Sequence, residues 1–142
     1  MATFVRQMIS GRGPVLSVAP DTSVFDALRI MAEHNVGAVL VMSGSELKGL
    51  LSERDYARKV ALQGLSSKDI PVSEIMSARL ICVDPGWTAE ECMALMNDRH
   101  IRHLPVLENG TVAGVVSIRD AVRAVVDEQR FAIKELTDYI SG

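Results

Sequence analysis

The sequence predicts an α/β fold, of the α+β kind: two tandem β-α-β-β-α units packed about a pseudo-twofold axis, with a long C-terminal helix. Three observations predict it. The chain repeats itself after a shift of 65 residues. Each repeat pairs one helical apolar period with two short β-branched runs flanking a turn sequence. A last helical pattern then runs on past the end of the second repeat.

A repeat decides the architecture before any single element does. The shift carries Val18 onto Val83, Pro20 onto Pro85, Met31 onto Met96 and Val41 onto Val106. It also carries Gly49, Ser52, Arg54, Asp55 and Arg58 onto Gly114, Ser117, Arg119, Asp120 and Arg123. The alignment needs no gap from about Val15 to Val60, and its identities thicken toward the end of each unit. A single unit of roughly 60 residues is marginal on surface-to-volume grounds. Two units stacked on their sheet faces would share a core and leave clefts between them.

The elements follow in order. Asp21-Thr-Ser can cap a helix to about His34, with Val24, Ala27, Leu28 and Met31 on one face. Its counterpart runs from about Thr88 to Arg99, with Cys92, Leu95 and Met96 inward. The apolar runs Val36–Met42 and Ile101–Leu107 read as buried strands. Ser43-Gly44-Ser45 and Glu108-Asn109-Gly110 read as hairpin turns, the Asn-Gly pair because both residues tolerate positive φ. The second hairpin strands end at Leu51 and Val116, and helices begin at Ser52 and Ser117. Gln63 to Pro71 reads as a linker, so the expected domains are residues 1–66 and 67–142. Met8 and Met76, just ahead of each unit, read as helix-face packing residues. The last helix should reach about Tyr139, with Val122, Val125, Val126, Phe131 and Leu136 exceeding what one small unit covers.

Composition narrows the function classes. The net charge of −3 lacks the basic balance that bulk nucleic-acid binding wants. No apolar run is long enough to span a membrane. Met1 to Ser10 lacks the apolar stretch of a signal peptide. Cys82 and Cys92 stand in no metal or redox spacing and read as buried apolar residues. Together these point to a reducing compartment, the cytoplasm. No Walker loop, Gly-x-Ser-x-Gly elbow or His-Glu-x-x-His helix exists, so no enzyme chemistry is expected. His100-Ile-Arg-His103 lacks a third ligand for a metal.

Two tandem units, each ending in Gly-h-h-Ser-x-x-Asp with h apolar, resemble a pair of CBS domains, a Bateman module. The residues that carry the resemblance are Val18-Ala-Pro, Ile101-Arg-His-Leu-Pro-Val106, Gly49–Asp55 and Gly114–Asp120. It covers about Val15 to Val126. Ser52–Val60 with Gln63–Asp69 is similar to stand-alone CBS-pair proteins of bacteria and plant organelles, some of which are described as regulators of thioredoxin-type enzymes.

The resemblance implies an adenosine ligand: AMP first, with ADP, ATP, S-adenosylmethionine or NAD as alternatives. It implies that Asp120 with Ser117, and Asp55 with Ser52, take the ribose. Arg119 and Arg54 would face phosphates. The adenine at the Asp120 site would lie against Thr22, Ala27, Val36, Gly37, Ala38 and Val115. The Asp55 site would use Cys92, Ile101, Arg102 and His103, with Trp87 in place of Thr22.

Plainer readings stand beside these. Ser-x-x-Asp is close to a capping box, which needs no ligand, and both roles can hold together. A helix-start arginine is ordinarily solvated. His103 can be a satisfied core histidine and Arg102 can pair with Asp98. The expected function is therefore a nucleotide-sensing regulatory module, homodimeric and acting on a partner protein. The alternative is an interaction protein that regulates a partner such as a thioredoxin-like enzyme without nucleotide. Ser-x-x-Asp in both units speaks against vestigial sites.

Overall fold

The computed structural model describes all 142 residues. In chain order the elements are α1 (Val5–Ile9), β1 (Ser17–Val18), α2 (Val24–His34), β2 (Ala38–Ser43), β3 (Glu46–Ser52) and α3 (Glu53–Tyr56). A π-helical turn (Ala57–Ala61) and a 3-10 turn (Val72–Glu74) follow. Then come α4 (Ala89–Arg99), β4 (His103–Glu108), β5 (Thr111–Ser117) and α5 (Ile118–Ser141). The repeated α/β units, the hairpins and the long last helix agree with the sequence expectation.

Each unit is built on an antiparallel hairpin. In Pro14–Leu80, β2 pairs β3 from Ala38↔Ser52 to Ser43↔Glu46, and β1 adds parallel to β2 through Ser17↔Leu40 and Val18↔Val41. In the other unit β4 pairs β5 from His103↔Ser117 to Glu108↔Thr111. Its expected first strand shrinks to one parallel bridge, Val83↔Val106. Both hairpins slip register just after the valine that faces a glycine, Val41 opposite Gly49 and Val106 opposite Gly114. Asn109 and Gly110 have φ of 53° and 79°, the positive pair that a two-residue hairpin turn requires.

Apolar periodicity becomes core directly. Val24, Ala27 and Met31 of α2 bury against Val39, Val41 and Leu51. Cys92 and Met96 of α4 bury against Leu104, Val106 and Val116. Ser23 caps α2 by accepting the Asp26 N–H at 3.1 Å. Thr88 and Glu91 cap α4 reciprocally, at 3.1 Å and 3.0 Å.

The domain boundary differs from the one expected. The compact units are Pro14–Leu80, and Met1–Gly13 together with Ile81–Gly142. The N-terminal segment therefore belongs with the second repeat and not the first. Backbone bonding is the reason. Val5 N–H donates to the Trp87 carbonyl at 2.7 Å, Arg6 N–H to Pro85 at 3.1 Å, and Ala89 N–H to Thr3 at 2.8 Å. Val5 then enters that core with no exposed surface.

The segment before the second repeat does the same for the first unit. Val72 N–H donates to Thr22 at 2.8 Å, Ser73 N–H to Pro20 at 3.1 Å, and Val24 N–H to Ile70 at 2.9 Å. Val72 too is fully buried. The supposed linker is likewise tied down, its Ser67 carbonyl accepting the Phe25 N–H at 2.9 Å. The two leaders align at a spacing of 67, from Val5 and Val72, and not at 65. Met8 packs against its core from α1 as expected, whereas Met76 lies just beyond its 3-10 turn and packs from there.

The first turns of α5 bury Ala121 and Ala124, but every residue from 131 to 142 is exposed. Phe131, Ile133, Leu136 and Ile140 are among them, as the excess of apolar positions had suggested.

The paired glycines give a graded test. A Cβ at Gly49 would stand 2.6 Å from Met76 Sδ and 2.9 Å from the Ser77 carbonyl oxygen, which is backbone. At Gly114 the nearest atom is Ile9 Cγ2 at 3.2 Å, a side chain that can turn aside. Gly49→Ala should cost about 1–3 kcal/mol in urea unfolding. Gly114→Ala should stay within about 1 kcal/mol of wild type. Equal losses would mean that the two leaders pack with the same rigidity.

Candidate functional site

In each unit the turn from the hairpin into the following helix gathers the residues singled out from sequence. The end of the second hairpin strand lies beside the start of the first. Ala38 is the register partner of Ser52, and His103 of Ser117. The Glu53 N–H donates to the Gly37 carbonyl at 3.0 Å, and the Ile118 N–H to the Arg102 carbonyl at 2.8 Å. Within its own unit, then, Gly37–Ala38 flanks Ser52 and Asp55, while Arg102–His103 flanks Ser117 and Asp120.

Both Ser-x-x-Asp sequences form capping boxes. The Asp120 N–H donates to Ser117 Oγ at 3.1 Å, and the Ser117 N–H donates to Asp120 Oδ2 at 2.9 Å. The Asp55 N–H donates to Ser52 Oγ at 3.1 Å, and the Ser52 N–H donates to Asp55 Oδ2 at 3.0 Å. In the first unit the Ser52 hydroxyl also lies 3.0 Å from Asp55 Oδ2. The capping role of these residues is thus real, and it engages one oxygen of each carboxylate.

The second oxygen of each carboxylate meets a cation. Asp120 Oδ1 lies 2.8 Å from Arg12 Nη2, and Arg12 Nη1 donates to the Val115 carbonyl at 3.0 Å. Asp55 Oδ1 lies 3.1 Å from Lys59 Nζ, which also donates to the Ile75 carbonyl at 2.9 Å. Arg12 and Lys59 were not anticipated from sequence. A signal for Arg12 existed in the leaders, where Ile9-Ser-Gly-Arg12 aligns with Met76-Ser-Ala-Arg79. Lys59 could have been read from i,i+4 spacing to Asp55.

Burial acts to raise the Asp120 carboxyl, but the Ser117 N–H and the Arg12 guanidinium outweigh it and hold the group below its ordinary value. Both motif carboxylates keep some exposed surface, 17% for Asp120 and 13% for Asp55.

The remaining candidates divide by exposure. Arg54, Arg119 and Arg102 are exposed, and Arg102 forms no ion pair with Asp98. Thr22, Val36, Gly37, Ala38, Ile101, His103 and Val115 are half-buried. Ala27 has no exposed surface and lies in the hydrophobic core. Cys92 is fully buried in the other core. Trp87 packs against that same core. His100 ends α4 in the left-handed conformation with φ of 55°, and no group of three metal-ligating side chains forms.

A repeated α/β unit whose last strand turns into a Ser-Asp-capped helix defines a CBS-pair regulatory module, and the chain belongs to the CBS-domain family. The family's domain description matches residues 5–62 and 72–127. CBS domains are generally regulatory and not catalytic elements.

Among its relatives is the mitochondrial CBS domain-containing protein CBSX3 of Arabidopsis thaliana. It is 44% identical over 138 residues, covering 94% of this chain and 67% of the relative. A CBS-domain protein of Burkholderia ambifaria superposes with a TM-score of 0.84 at 43% identity, over 89% of this chain and 96% of that one. A hexameric CBS-CP12 protein from bloom-forming cyanobacteria superposes with a TM-score of 0.75 at 25% identity, over 84% and 69%. No helix of this chain is long and apolar enough to cross a membrane.

Two pH-dependent outcomes follow. Because the folded Asp120 pKa lies below the ordinary value of 3.8, its contribution to stability is present above that value and is lost as pH falls through the folded pKa. The Tm gap between wild type and Asp120→Asn should therefore narrow on acidification below pH 4. A constant gap would assign the loss to geometry instead of charge.

Burial and the neighbouring Glu91 charge push the Cys92 thiol up to about 11, and burial raises Cys82 by a smaller step. Cys82 is half-buried and Cys92 fully so. A thiol reagent at pH 8 should therefore label Cys82 first and reach Cys92 only on unfolding. Mass spectrometry of the labelled chain reads the order.

Proposed function

We propose that this chain is an adenosine-nucleotide-binding regulatory module whose occupancy modulates a partner protein. AMP is the first candidate ligand, with ADP, ATP, S-adenosylmethionine and NAD as alternatives. In this reading Asp120 and Ser117 meet the ribose, beside Val115 of the same unit. Asp55 and Ser52 would do the same in the first unit, with Arg54 facing phosphate. Arg119 faces phosphate. The observation that carries the reading is the duplicated, partly exposed carboxylate set at a helix start beside a cation. An aspartate in that setting can accept from a ribose diol while nearby donors stabilise an anion.

Self-association belongs to the same proposal. The exposed apolar residues of α5, Ile133, Leu136 and Ile140 among them, offer a face for a homodimer. The hexameric CBS-CP12 relative is consistent with assembly. Two free cysteines suit a reducing compartment such as the cytoplasm. No catalytic step is assigned.

One observation favours a second reading. Both motif carboxylates already have a cation within 3.1 Å and a capping bond, so neither needs a ligand to be satisfied. The protein would then be a nucleotide-independent interaction module acting on a partner such as a thioredoxin-like enzyme.

A thermal-shift series with AMP, ADP, ATP, NAD, S-adenosylmethionine and GTP separates the two. Ligand at 100 times its Kd stabilises by about 2.7 kcal/mol, which for a chain of this size is a shift of roughly 5 °C or more. The nucleotide reading expects such a shift with an adenosine ligand and its loss in Asp120→Ala. Asp55→Ala reports whether the other motif takes part. No shift with any ligand in wild type supports the second reading.

A further inference from the structure

The two halves of the repeat neutralise their motif aspartates by different routes. Asp55 is met by Lys59, four residues further on, in the π-helical turn that follows α3. The residue 65 positions beyond Lys59 is Ala124, so α5 cannot supply the same partner. Asp120 is met instead by Arg12, from the leader that docks on its unit. The other leader also ends in an arginine, Arg79, yet Arg79 forms no ion pair with Asp55. In the first unit the strand edge at Leu50 is closed by backbone bonds to Ser77, at 3.0 Å and 2.9 Å. In the second the corresponding carbonyl, Val115, takes the Arg12 side chain instead.

The consequence lies in the donors left over. A guanidinium carries five N–H donors in a rigid plane. Arg12 directs one to Asp120 and one to Val115, which leaves three, on a side chain that is 44% exposed. Its plane is fixed at two points, which is the preorganised fork that binds a phosphate through paired bonds. Lys59 has three donors and spends two of them, on Asp55 and the Ile75 carbonyl. The carboxylate that would hold a ribose would by itself repel an attached phosphate. Arg12 and Lys59 each offset that charge, but only Arg12 does so with a planar fork that keeps three donors free.

We propose that Arg12 is the specificity-determining residue of the Asp120 site, bridging its carboxylate to the phosphate of the ligand and so selecting phosphorylated adenosine compounds over adenosine. The proposal rests on the nucleotide reading above and adds to it a residue outside the Gly-h-h-Ser-x-x-Asp motif.

Isothermal titration of the full chain with adenosine, AMP, ADP and ATP tests it, on wild type, Arg12→Gln and Arg12→Lys. A single cooperative unfolding transition well above the titration temperature in each variant first establishes folding. Wild type should bind the phosphorylated ligands more tightly than adenosine. Arg12→Gln should weaken them by about tenfold, the scale of one charge-assisted bond, while adenosine stays within about twofold. Arg12→Lys should recover part of the difference, because it keeps the charge and loses the fork.

Equal weakening of adenosine and AMP in Arg12→Gln would overturn the proposal in favour of a role confined to holding Asp120. Tighter binding of both would overturn it in the other direction, with Arg12 an internal competitor of the ribose. In both cases the nucleotide reading would survive. Wild type that binds none of the four would instead sink the nucleotide reading, and this proposal with it.

Discussion

The reciprocal cap between a serine and the aspartate three residues on is the interaction around which each unit is organised. It closes the hairpin onto the following helix, since Ser52 and Ser117 are at once the last residues of β3 and β5 and the N-caps of α3 and α5. It satisfies helix-start donors that would otherwise be left unpaired. It also pins one carboxylate oxygen inward, so the other must face outward from the helix start. The chemistry of the site is therefore a by-product of a folding device. An aspartate held this way is kept at the helix start by its own cap.

What surrounds that charge differs between halves. One carboxylate is answered locally, by a lysine on the π-helical turn that follows α3. The other is answered from far along the chain, by an arginine in the N-terminal leader. At the aligned position a lysine, Lys59, stands against an alanine, Ala124, so the second unit has no cation at that spacing. Sequence repeats of this kind preserve the backbone plan while letting the polar shell diverge, because shell residues touch solvent and cost little to exchange.

The leaders explain why the family segments and the compact units do not coincide. The matched segments follow the chain, 5–62 and 72–127. The compact units exchange those leaders, so that residues 3–9 serve the second repeat and residues 70–76 the first. Each leader brings one fully buried valine, Val5 or Val72, and one residue that crowds a hairpin glycine, Ile9 or Met76. That glycine is part of the recognisable motif, and close approach of the leader is its physical cause. The equivalence is hidden at the repeat spacing because the leaders are offset by two further residues.

Much of the fold was legible in the chain itself. Helical apolar periods, Ser and Thr caps, the Asn-Gly turn and β-branched runs are local signals, set by backbone and side-chain sterics within a few residues. So was the Ser-x-x-Asp motif, whose capping geometry needs only its own four residues. The sequence did not reveal that the N-terminal segment packs with the second repeat or that Arg12 reaches Asp120. Those are contacts between residues far apart in the chain, and their partners are chosen by which backbone edges and cavities remain open once the hairpins have formed. Local physics thus determined the elements and the caps, whereas only tertiary packing decided which distant side chain completes each site.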